Sequence, residues 1–138
     1  MKRLLAVMLL LIASGTAHAA AFKVIVNDSV KVQSLPKKAV SDLFLKKSVK
    51  WEGGRAVVVV DQVEAAEVRD AFSRAVHGKP AAAIKSYWTQ QIFAGRDVPP
   101  VEKKSDAEVL AFVRANAGAI GYVADSTATD GVRVLEVK

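Results

Sequence analysis

The chain has 138 residues, 20 of them Lys or Arg against 14 Asp or Glu, for a formal charge of +6. Its 51% apolar and 25% charged content suits a globular domain and excludes wholesale disorder or a fibrous repeat. Cysteine is absent, which removes disulfide scaffolds, thiolate metal sites and thiol nucleophiles together.

Lys2 and Arg3 precede the apolar run Leu4 to Ala13, and Ala17-His18-Ala19 reads as a cleavage site. Such a run rises only ~15 Å as a helix, half of the ~30 Å that a bilayer core requires. The expectation is a signal peptide over residues 1–19, and export of a single periplasmic domain over residues 20–138.

Within that domain, Phe22 to Asn27 (FKVIVN) reads as a strand closed by the turn formers Asn27, Asp28 and Ser29. Ser34 and Pro36 open a helix whose buried stripe is Val40, Leu43 and Phe44. Ala56 to Val60 (AVVVV) is a β-branched block, as found in strands covered by helices on both faces. Glu64 to Val76 forms a second helix, with Val68, Phe72, Ala75 and Val76 inward, and ends at Gly78.

Pro80 begins a third helix, in which Ile84, Trp88 and Ile92 recur every four residues and Gly95 is the stop. Ser105 and Glu108 form a capping box for a fourth, which buries Val109, Phe112 and Val113 and stops near Gly118. Ala119 to Val123 is a buried strand, and Val132 to Val137 alternates as a last, half-exposed one. This order predicts an α/β fold, a layered sandwich with a central mixed sheet flanked by helices.

Chemistry-bearing patterns are sparse. A metal site needs convergent His, Cys or carboxylates, and residues 20–138 hold a single histidine, His77, placed to cap a helix C-terminus beside Gly78. Glu64 and Glu67, at the start of a helix, fit the positive end of its dipole better than acid–base work. No nucleophile elbow or phosphate-binding P-loop occurs, so neither an enzyme nor a metal or organic cofactor is expected. The pairs Lys37-Lys38, Lys46-Lys47 and Lys103-Lys104 are too sparse, and the aromatics too well placed for burial, to predict nucleic-acid binding.

Leu35, Leu43 to Lys46, Trp51-Glu52-Gly53, Val57 to Val60, Arg69 to Phe72, Tyr87-Trp88, Phe93 to Gly95, Pro99-Pro100 and Gly118 to Val123 form an ordered series. Together they resemble the phosphate-binding periplasmic proteins of ABC transporters. Full-length members have two lobes that close over phosphate, and this chain resembles a single lobe of that type 2 periplasmic-binding-protein fold. The resemblance implies ligand contacts at Asp61, Gln62, Ala66, Glu67 and Arg69, with Asn27 and Ser29 closing the first strand on the same sheet edge.

The family carries a Gly-Ser-Gly-Thr type turn where this sequence has Glu64-Ala65-Ala66-Glu67. Hydroxyl donors are thereby replaced with carboxylates. A like charge ~4 Å from phosphate opposes it by about 4 kcal/mol at an effective dielectric of ~20. Two functions follow from the resemblance. One is an exported binding protein taking phosphate or a related oxyanion weakly or with a partner, such as the membrane components of a transporter. The other is an envelope interaction module that kept the fold and lost the ligand.

Overall fold

The computed structural model describes residues 21–138, so the expected leader and its cleavage site lie outside the described residues. Ten elements and one π-helical turn follow in order. They are β1 (Phe22–Val26), β2 (Ser34–Leu35), α1 (Lys37–Phe44), β3 (Val58–Gln62), α2 (Glu67–Phe72) with its π-turn (Ser73–His77), α3 (Ala81–Phe93), β4 (Val101–Lys103), α4 (Asp106–Ala115), β5 (Ala119–Ala124) and β6 (Arg133–Val137).

The sheet has the order β2-β6-β1-β5-β3-β4. Strand β1 runs antiparallel to both β5 and β6, whereas β3 lies parallel to β5 and β4. Side chains alternate across each strand and so supply two cores. Val24, Val26, Val59, Ile120 and Tyr122 meet Val40, Phe44, Val68 and Phe72 from α1 and α2 on one face. Ile25, Val60 and Val123 meet Val109, Leu110 and Val113 from α4 on the other. The predicted α/β sandwich with a mixed central sheet is thus the fold observed, because uniformly apolar strands find helices on both sides.

Several boundaries depart from the sequence reading. Strands β2 and β4, two and three residues long, were not expected, since neither is long enough to show a period; edge pairing makes them. Strand β3 starts at Val58 and continues through Asp61 and Gln62, because β4 extends the ladder that far. The second helix begins at Glu67 rather than Glu64, and its last turn widens to π geometry. Ile92, expected inside, is 54% exposed and its neighbour Phe93 is 90% exposed, because α3 runs past the edge of the core.

The fourth helix is capped as its sequence predicts, with one change. The Glu108 amide donates to Ser105 Oγ (3.2 Å), but the Glu108 carboxylate accepts from Lys104 N–H (2.8 Å), one residue before the cap. Gly121 lets this helix approach the sheet. A Cβ there would sit 2.7 Å from Val60 Cγ1 and 2.9 Å from Val109 Cγ1.

Candidate functional site

Strand alternation divides the end of β3 between the two faces. Asp61 points with Val59 toward α2 and Tyr122, and Gln62 points with Val60 toward α4. On the α2 side, Tyr122 Oη and the Gln62 amide (2.8 Å) both donate to Asp61 Oδ1. Arg69 Nη1 lies 3.5 Å from the same oxygen and 3.3 Å from Glu102 Oε1, and it donates to the Gln62 carbonyl. On the α4 side, Gln62 Nε2 donates to Asp106 Oδ1 (2.7 Å) and the Tyr122 carbonyl (3.0 Å). Asp106 Oδ2 takes Thr127 Oγ1 (2.6 Å) and the Ala124 amide (3.0 Å).

This network is closed. Asp61 and Arg69 are each 4% exposed and Gln62 2%, and among the described residues no buried side-chain nitrogen or oxygen lacks a partner. Burial pushes the Asp61 carboxyl above its usual range, against the opposing pulls of Arg69, Tyr122 and the Gln62 amide. Burial works against the Arg69 charge, but Asp61, Tyr122 and Glu102 outweigh it and hold the guanidinium protonated. Burial and the adjacent Asp61 charge raise the Tyr122 phenol, so its O–H remains a donor. Asp106 is pulled down instead, because hydrogen bonds from Thr127, Gln62 and Ala124 exceed the effect of burial.

Asp61, Gln62 and Arg69, placed together by the sequence reading, do meet, but through the Gln62 backbone: its side chain points to the α4 face, and of the three only Arg69 lines the neighbouring cleft. Ala66 is half-buried and Glu67 exposed at the start of α2. Beside them lies a cleft of about 220 Å³ lined by Arg69, Glu64, Lys85, Trp88, Pro99 and Glu102. Both cations there are engaged, Lys85 with Glu64 (3.0 Å) and Arg69 with Glu102 and Asp61.

Asn27 and Ser29 are elsewhere. Because β1 is antiparallel to β5, and β5 parallel to β3, the end of β1 lies about 10 Å along the sheet from Asp61, at the opposite end. This corrects the expectation of a shared sheet edge. There, Asn27 Nδ2 caps the Val113 (2.7 Å) and Arg114 (3.2 Å) carbonyls of α4, and Ser29 Oγ accepts the Gly118 amide (2.9 Å).

Sequence reasoning also missed Tyr122, Glu102 and Asp106 as members of the network. A phenol inside an otherwise apolar strand was the one available signal; Glu102 joins only through strand pairing, and Asp106 only through the docking of the first turn of α4 on the sheet. His77 departs from its expected capping role. Gly78, at φ 69°, ends the π-turn, while His77 Nδ1 pairs with Ser41 Oγ at 2.7 Å. Among the described residues no cluster of three or more His, Cys, Asp or Glu is placed to hold a metal.

No protein-family model matches the chain, and no curated protein matches it in sequence. Solved structures do match it. One is a Clostridium perfringens chain described as a phosphate ABC transporter substrate-binding protein, with phosphate bound (24% identity, TM-score 0.68). It is covered over 45% of its length by 86% of this chain. The fold is that of one receptor lobe.

An ABC-type phosphate transport receptor from Vibrio cholerae aligns with 86% of this chain and 46% of its own length (13% identity, TM-score 0.67). PstS from Borrelia burgdorferi aligns with 86% of this chain and 47% of its own (14% identity, TM-score 0.62). This chain therefore spans about half the length of the receptors whose fold it shares.

Proposed function

We propose that this protein is an exported, non-catalytic module with the fold seen in phosphate receptors. It docks on an envelope partner, such as a membrane component of an ABC transporter, and takes free phosphate weakly or not at all at the β3–α2 mouth. One observation carries this reading: the Arg69 guanidinium already has an anion, the Asp61 carboxylate at 3.5 Å, with Glu102 on its other side. An incoming phosphate would have to displace a buried partner and would meet Glu64 and Glu102 at the rim.

The sequence's competing reading, phosphate binding retained through Arg69, is favoured by the contact of that side chain with the cleft. Isothermal titration of the protein with phosphate, sulfate and arsenate separates the two. The docking reading expects no heat at millimolar anion and a partner recovered from envelope extracts without added phosphate. Micromolar phosphate affinity that Arg69→Leu removes would overturn it.

A further inference from the structure

A second cleft, of about 470 Å³, opens where α1, the π-turn and α3 converge. Cations and carboxylates balance in the first cleft, whereas cations are in excess here. Lys38, Lys47 and Lys79 line it, with Asp42 the sole carboxylate among its lining residues, and Asp42 is occupied by Lys38 at 2.9 Å. No acidic group is paired with Lys47 or Lys79 in the ion pairs of the described residues. His77 also lines the cleft, and with Nδ1 paired to Ser41 Oγ its Nε2 is the ring nitrogen left over. The walls are apolar: Leu45, Val76, Ile84 and the ring of Tyr87.

The backbone is shaped to this end. Lys46 adopts a left-handed φ of 56°, uncommon for a residue with a side chain, and turns the chain so that Lys47 lines the cleft. Gly78 does the same for Lys79 after the π-turn. At the carbonyl end of α1, which would repel an anion, the Ser41, Asp42 and Leu43 carbonyls accept from the amides of Leu45, Lys46, Lys47 and Ser48. Widened π-turns within helices recur at functional sites, and this one ends on His77, which lines the cleft.

We propose that this cleft binds an organic oxyanion, a sulfonate, carboxylate or phosphomonoester head carried on an aromatic or aliphatic body. Lys47 and Lys79 hold the head, the His77 imidazole donates to it, and the body lies against Tyr87, Ile84 and Leu45. Burial first, then the charges of Arg69, Lys47 and Lys79, oppose a proton on His77, and Asp42 is neutralised by Lys38. A bound anion reverses that balance, so binding and protonation of His77 favour each other. This proposal is independent of phosphate at the β3–α2 mouth, which depends on Arg69 and not on Lys47 or Lys79.

The test uses benzenesulfonate, which keeps its charge at every pH used, with benzenesulfonamide as the neutral isostere and inorganic sulfate as the head without a body. The readouts are calorimetry and the His77 imidazole resonance in NMR. Benzenesulfonate is expected to bind, to shift the His77 resonance and to raise its titration midpoint, with affinity increasing as pH falls. The sulfonamide and sulfate are expected to bind at least tenfold more weakly, by roughly the loss of one charge-assisted contact or of the apolar contact. The double variant Lys47→Ala/Lys79→Ala removes two exposed side chains, so the fold survives, and it should lower affinity by about tenfold or more. No resonance shift at millimolar benzenesulfonate overturns the proposal, as does equal binding of the sulfonamide or unchanged affinity in the double variant.

Discussion

Replacing His77 with Gln should remove a specific part of the acid sensitivity of this fold. Burial, then the positive charges of Arg69, Lys47 and Lys79, lower the His77 pKa from 6.5 to about 4. The folded state thus favours neutral imidazole. Its contribution to stability is complete above pH 6.5, is lost as pH falls toward 4, and changes no further below that. At about 1.4 kcal/mol per unit, this shift corresponds to about 3 kcal/mol, which solvent screening at the cleft mouth reduces to about 2 kcal/mol.

Urea unfolding of wild type and His77→Gln, repeated from pH 7.5 to 4, measures the difference directly. The lost Ser41 contact offsets the two curves by a constant, and carboxylates common to both cancel. Asp106 and Asp70 are lowered and so withdraw stability only in stronger acid; Asp61 is raised, so its protonation relieves strain in the opposite sense. The gap between the proteins should therefore close by about 2 kcal/mol as pH falls from 6.5 to 4. A gap that stays flat across that window refutes the account of a neutral, cation-flanked imidazole.

Three further substitutions test the cores. Arg69→Leu leaves the Asp61 carboxylate buried without a cation and should cost about 3–5 kcal/mol in urea unfolding. Adding Asp61→Asn should recover part of that loss, and a strictly additive double variant would dissolve the pair as an energetic unit. Gly121→Ala drives a methyl into Val60 and Val109 and should cost about 1–3 kcal/mol, read as a lower urea midpoint at unchanged slope.

The architecture was legible because it rests on local periodicity. The continuous apolar strands at Val58 and Ala119 call for helices on both faces, and Val40, Leu43 and Phe44 mark the stripe that answers. Helix stops at Gly78 and Gly95 and the Ser105 cap are likewise local backbone chemistry. The short edge strands and the π-turn escaped because pairing and packing, not sequence pattern, create them.

The sequence by itself determined a helix-covered mixed sheet, a segment without hydroxyl side chains from Glu64 to Val68 ahead of Arg69, and the surplus of basic residues. Tertiary structure alone decided what those charges do. Antiparallel pairing of β1 carried Asn27 and Ser29 away from Asp61, and strand alternation aimed Asp61 at Arg69 and sealed both from solvent. It also brought Ser41 to His77 across 36 positions and gathered Lys47 and Lys79 beside them. Charge acts through distance and burial, and the chain fixes neither until it folds.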